Sequence, residues 1–237
     1  MAIDFDGMVK KVIPLGHSEA DDSLCCHVAY GIDDNFLYGC GISVVSLLMN
    51  NPNTQFSFHV FIDNIMSDKD ITKFSEICSS YNTKVTIYFI DSNNVKKLPT
   101  TKNWTHAIYF RLIIAEYFKD KIDYLFYLDA DVVCNYNIDE ILHLNLLGYI
   151  AAVVPERDKV WWKKRADSLG FQSISKGYFN SGVMYINLQE WKVKNITSKS
   201  MALLMDDNIS NRLIYPDQDV LNILLTDGVL FISAIFN

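Results

Sequence analysis

From Cys26 onward the apolar positions alternate between two periods. His27 to Ile32, Ser57 to Asp63 and Lys84 to Asp91 are short β-branched and aromatic runs that read as strands. Between them, Leu37 to Met49 and Asp68 to Ser80, the latter begun by Ser67, carry helical spacing. Ala107 to Phe118 is again helical, and Tyr124 to Leu128 reads as a buried strand running straight into Asp129, Ala130 and Asp131. A short helix at Ile138 to His143, a strand at Tyr149 to Val154, a polar-aromatic segment at Trp161 to Leu169 and a strand at Val183 to Leu188 follow. The pattern closes with helices at Thr197 to Met205 and Asp219 to Leu225 and an extended Val229 to Ser233. Strands alternating with helices predict an α/β fold, a parallel sheet flanked by helices. Met1 to Leu24 lacks periodicity and reads as an N-terminal tail, which leaves one domain over residues 25–237.

Composition narrows the class. Half of the 237 residues are hydrophobic, enough for one substantial core. A net charge of -7 offers no broad positive field, which excludes a nucleic-acid partner. The five cysteines are odd in number and lack C-x-x-C spacing, so reduced thiols in the cytoplasm are expected. The opening residues mix Asp4, Asp6, Lys10 and Lys11 among apolar ones, unlike a secretory signal, and no apolar run reaches the roughly 18 residues that span a bilayer. The N-x-[ST] triplets at Asn103, Asn195 and Asn208 are read as coincidence.

Asp-x-Asp pairs occur at Asp4/Asp6, Asp68/Asp70, Asp129/Asp131 and Asp217/Asp219. The first sits in the tail, and the second lies in the first turn after Ser67, where carboxylates meet the positive end of a helix. Asp129/Asp131 instead closes an apolar strand, and open α/β sheets collect ligands beyond the carboxyl ends of their strands. Two carboxylates there are costly without a positive partner. A hard cation such as Mg²⁺ or Mn²⁺ supplies one, taking carboxylate oxygens on one side and diphosphate oxygens on the other. A solvated strand-end turn explains the spacing equally well. His27 to Ile32 likewise runs into Asp33, Asp34 and Asn35, groups suited to a base or ribose, with Gly31 leaving room for a flat ring. Ordinary turn and cap roles account for the same residues. No G-x-G-x-x-G or G-K-[ST] loop is present, so phosphate binding would fall to a metal.

Five blocks, HVAYGIDDNF, RLIIAEYF, YLFYLDADVV, GYFNSGVMYINL and YPDQDVLNILL, occur in an order that resembles glycosyltransferase family 8 over Cys26 to Asn237. They look most like its bacterial lipopolysaccharide outer-core hexosyltransferases, which are α-1,3-glucosyl- or galactosyltransferases. The resemblance implies a GT-A fold with a mixed, mostly parallel sheet, and a retaining, metal-dependent transfer from UDP-glucose or UDP-galactose to the lipopolysaccharide core. It places Gly31, Asp33, Asp34, Asn35 and Phe36 by the nucleoside, and Asp129 and Asp131, with Ala130 between them, at the Mn²⁺ or Mg²⁺ that holds the diphosphate. Arg111, Asn180, Ser181, Gly182, Asp217 and Gln218 would surround the sugar, and Arg111, Asn180, Asp217 and Gln218 would carry the catalytic roles. Retention is read as front-side attack, with the amide oxygen of Gln218 on the opposite face as an electrostatic stabiliser; the same oxygen as a transient nucleophile is the alternative. Taken singly, Arg111 also reads as a helix-surface cation, Asn180 to Gly182 as a turn and Pro216-Asp217 as a helix start.

Family members continue into an H-x-x-G-x-x-K-P-W segment whose histidine completes the metal site. No histidine follows His143 here, and His143 lies in a helical I-L-H-L context. A donor-binding module with little turnover is therefore the alternative expectation. After Tyr149 to Val154 the chain has Pro155, Glu156, Arg157 and Asp158 where relatives place an Asp, leaving acceptor-side residues open. Trp161, Trp162, Lys163, Lys164 and Arg165 form a basic-aromatic cluster that suits an anionic glycolipid acceptor, with peripheral contact at the cytoplasmic face of the inner membrane. An amphipathic helix burying its tryptophans fits the cluster as well.

Overall fold

Phe56–Ile62 is buried at every position, the mark of a strand covered on both faces. In a computed structural model describing residues 7–16, 25–63, 65–100 and 105–237 it is one of eight strands in a single sheet. The strands are β1 (Val9–Leu15), β2 (Cys26–Ile32), β3 (Phe56–Ile62), β4 (Lys84–Ile90), β5 (Tyr124–Leu128), β6 (Ala151–Pro155), β7 (Phe179–Asn187) and β8 (Val229–Phe231). Their order is β1-β4-β3-β2-β5-β7-β6-β8. Only β1 and β7 run against the other six, so the sheet is mixed and mostly parallel. The helices are α1 (Leu37–Asn50), α2 (Asp68–Tyr81), α3 (Phe110–Phe118), α4 (Asp139–Leu142), α5 (Lys159–Leu169), α6 (Leu188–Val193), α7 (Ile196–Leu204), α8 (Asp207–Ser210) and α9 (Pro216–Leu225).

Alternation along each strand divides the core between the two faces of the sheet. Leu125 and Tyr127 of β5 join α3, α6, α7 and α9 around Ile114 and Trp191, while Phe126 and Leu128 face Phe58, Val44 of α1 and Phe74 of α2. Ser67 caps α2 by accepting the Asp70 N–H, so the Asp68/Asp70 pair is a first-turn feature. His143 is an exposed residue at the end of α4, its Nδ1 against the Asp139 carbonyl oxygen at 2.7 Å.

Three expectations change. The stretch before Cys25, read as a tail, contains β1, an edge strand antiparallel to β4. Adjacent Lys10 and Lys11 and the ring of Pro14 break period-two alternation, which an edge strand tolerates because only one side must pair. The helix expected from Ala107 opens instead with a 3-10 turn, His106–Tyr109, capped by Thr105. Strand β7 begins at Phe179, not Val183, so Asn180, Ser181 and Gly182 lie inside a strand. Val153 of β6 pairs with Met184 and Val154 with Asn180, which leaves residues 181–183 outside that ladder as a bulge. On the other side, Val183 still pairs with Leu128 and the Gly182 carbonyl oxygen accepts the Asp129 N–H. Asp4, Asp6 and Asn103 lie outside the described residues.

Candidate active site

Beyond the carboxyl ends of β2 and β5 the sheet opens into a cleft of about 530 Å³. Gly31, Asp33, Phe36, Arg111, Asp129, Ala130, Asp131, Asn180, Ser181, Gly182, Asp217 and Gln218 all line it. Asp34 and Asn35 instead line the neighbouring groove between α1 and α2.

Arg111 organises the floor. It is 4% exposed, so the helix-surface reading does not hold. Its Nη2 donates to Asp129 Oδ1 at 2.9 Å, its Nε lies 3.0 Å from Asp217 Oδ2, and its Nη1 donates to the Ser181 carbonyl oxygen at 2.6 Å. The guanidinium also sits 4.7 Å from the ring centre of Tyr127, whose hydroxyl donates to the same Asp129 Oδ1 at 2.9 Å. Burial alone would push the guanidinium pKa down, but Asp129 and Asp217 more than offset this and hold it protonated. Burial raises the Asp217 carboxyl, an effect that Arg111 only partly counters.

With Asp129 Oδ1 occupied, Oδ2 is the freer oxygen. It faces Gly182, where an added Cβ would lie 2.6 Å away. Asp131 is exposed two residues on, at the same cleft. Two hard carboxylates open to one cavity fit a Mg²⁺ or Mn²⁺ ion that completes its shell from a phosphate ligand and water. Among the described residues no group of three His, Cys, Asp or Glu is placed to hold a metal by itself.

At the β2 end of the cleft, Asp33 caps the short turn before α1 through the Asn35 N–H and accepts the Thr105 hydroxyl at 2.9 Å. Gly31 lines the cleft, but its missing Cβ is required by packing, since a Cβ would meet that of Phe110 at 2.6 Å. At the other end, Gln218 donates to Glu156 and accepts from the Ser181 N–H, and Asn180 Oδ1 accepts the Gly182 N–H at 2.7 Å. The basic-aromatic cluster divides along α5. Lys163 and Lys164 are exposed, Trp161 stands edge-on to Tyr178, and Arg165 is buried in an ion pair with Asp219.

The contributions of Tyr127, Thr105, Tyr178 and Glu156 were not singled out from sequence. Tyr127 was within reach, because a residue two before Asp129 on one strand shares its face. Thr105 carried no such signal.

The sequence model of glycosyl transferase family 8 matches residues 27–237. The chain is 41% identical over 230 residues to the lipopolysaccharide glucosyltransferase WaaO of Escherichia coli K12, covering 97% of this chain and 68% of that one. It is 45% identical over 222 residues to the lipopolysaccharide 1,3-galactosyltransferase of Salmonella typhimurium, covering 93% and 65%. The chain thus spans about two thirds of the length of these curated relatives. Among solved structures, the galactosyltransferase LgtC in complex with donor and acceptor sugar analogs superposes with a TM-score of 0.77 at 22% identity, over 88% of this chain and 73% of that one. That likeness bears out the expected GT-A fold. Among the described residues no helix is long and apolar enough to cross a membrane.

Proposed function

The chain belongs to glycosyl transferase family 8, and from that premise we propose that it moves a hexose from a UDP-sugar to the outer core of lipopolysaccharide with retention of anomeric configuration. The observation that carries this reading is the convergence of Asp129, Asp131, Arg111, Asp217 and Gln218 on one cleft at the carboxyl ends of the strands. UDP-glucose and UDP-galactose are the candidate donors, matching the relatives' names.

In this reading Asp33 and Phe36 face the nucleoside, and Asp129 and Asp131 hold Mn²⁺ or Mg²⁺. The cation supplies charge that stabilises the departing diphosphate. The protein's own part is electrostatic and positional. Arg111 ties both ends of the site together, so Asp129 and the sugar-side Asp217 keep fixed places before substrate arrives. In the same reading the Gln218 carbonyl oxygen would meet positive charge developing at the anomeric carbon on the face away from the leaving group. Lys159, Lys163 and Lys164 are exposed on α5 next to the cleft residues Glu156 and Arg157, and suit a phosphorylated, lipid-linked acceptor at a membrane surface. A UDP-sugar donor and five free cysteines support the cytoplasmic face as the setting of this work.

Calorimetry of UDP with and without Mn²⁺, then donor hydrolysis with UDP-glucose and UDP-galactose in competition, tests the proposal. Metal-dependent UDP binding with turnover is expected, and no UDP binding in either condition would end it. Binding without hydrolysis would favour a donor-binding module.

A further inference from the structure

The side-chain amide of Gln218 is held in one sense only. Its Nε2 donates to Glu156 Oε2 at 2.9 Å and to the Tyr178 hydroxyl at 3.2 Å, and its Oε1 accepts the Ser181 N–H at 3.0 Å. Rotating the amide by half a turn would put its carbonyl oxygen against a carboxylate and its NH₂ against a backbone N–H, two repulsive pairs. Tyr178 cannot rescue that arrangement, because its own proton goes to Asp219 Oδ1 at 2.8 Å. Asp219 in turn accepts from Arg165 and from the Ile214 and Tyr215 N–H groups at 2.9 Å each, so it takes the tyrosine proton as one more acceptor bond. The tyrosine oxygen is left as an acceptor.

Glu156 is itself well held. Its N–H donates to the Tyr178 carbonyl oxygen at 2.8 Å and its carbonyl oxygen accepts the Trp162 indole N–H at 2.6 Å. The next residue, Arg157, sits at φ +67, a left-handed conformation uncommon outside glycine, with its Nε 3.4 Å from Glu156 Oε1. The turn after β6 thus fixes the carboxylate between Arg157 and Gln218.

We propose that Glu156 is a positioning residue for the transfer reaction, setting the sense of the Gln218 amide so that its lone-pair-bearing oxygen stays on the cleft-lining Ser181. The inference rests on reading the cleft as the sugar-donor site. A carbonyl oxygen there opposes developing positive charge, whereas an NH₂ group would add to it.

The test uses the full chain and three variants: Glu156→Ala, Glu156→Met, which matches the bulk if alanine fails to fold, and Glu156→Gln, whose carbonyl oxygen can accept the same bond. Removing the acceptor should lower kcat for donor hydrolysis roughly tenfold or more. The donor KM should stay within about twofold and UDP affinity should be unchanged, while Glu156→Gln should recover most of the rate. In ¹⁵N spectra, the Gln218 side-chain NH₂ protons should lose exchange protection in the alanine and methionine variants and keep it in the glutamine variant. Wild-type kcat together with an undisturbed Gln218 signal in both acceptor-less variants would overturn the proposal. So would a loss that appears only as a lower melting temperature. If the parent chain bound no UDP, the donor-site reading would fall, and the amide spectra would still decide the orientation on their own.

Discussion

Arg111 neutralises two carboxylates from a buried position, so replacing it should cost more than losing one surface charge. In Arg111→Met, Asp217 stays buried without its cation, and unfolding free energy from urea titration should fall by about 3–5 kcal/mol. Adding Asp217→Asn to that variant should return part of the loss. Because burial raises the Asp217 carboxyl above its ordinary value of 3.8, the folded chain binds this proton more tightly than the unfolded one. Its contribution therefore favours folding at low pH and is lost as pH rises from that ordinary value through the raised one. The stability gap between the parent and Asp217→Asn should shift toward the Asn variant over that window, as urea midpoints at several pH values would show. Gly182→Ala should act on function with less effect on folding. Its Cβ would stand 2.6 Å from Asp129 Oδ2 and force that carboxylate aside, so calorimetry should show Mn²⁺-dependent UDP binding weakened roughly tenfold. Asp129 and Asp131 could be picked out of four similar pairs because an apolar strand ended on them. The burial of Arg111 could not, since a single cation in a helix reads the same on either face until its partners on β5, β7 and α9 are in place.

Strands β2, β3 and β4 are also joined side chain to side chain. His27 Nδ1 lies 3.0 Å from His59 Nε2, and His59 Nδ1 lies 3.1 Å from the Tyr88 hydroxyl. Burial, helped by His27 and Lys84, pushes the His59 pKa well below its ordinary value of 6.5. The unfolded chain therefore takes up a proton that the folded chain refuses, and stability present above that value is lost as pH falls below it. Down to the folded value the loss is about 1.4 kcal/mol per pH unit. A His59→Phe variant should show a shallower decline of its urea midpoint between neutral and acid pH, even if its midpoint at neutral pH is lower. Elements with strong periodicity, β2 to β5 and α1 and α2, were readable to within a residue or two. Those that were not have a physical reason. Strand β1 needs no apolar face at a sheet edge, and the polar start of β7 is tolerated because Gln218 and Asn222 of α9 accept its N–H groups.

The two apolar layers share one sheet, and neither can persist once it separates. Phe58→Ala on one face and Ile114→Ala on the other should each remove about 2–5 kcal/mol. Each should move the same single transition, seen at one midpoint by far- and near-ultraviolet circular dichroism, and two resolved midpoints would contradict this. The mostly parallel α/β sheet was legible from strand–helix alternation, whereas the antiparallel insertion of β7 between β5 and β6 was not, because strand order depends on long-range pairing that local pattern does not encode. That insertion carries a detour of three residues past β6, with Leu128 and Val153 still anchored beside it. Ser181 and Gly182 are therefore shaped by the cleft and not by the β6 ladder, so exchanging them should change what the cleft admits before it disturbs the alignment of the neighbouring strands.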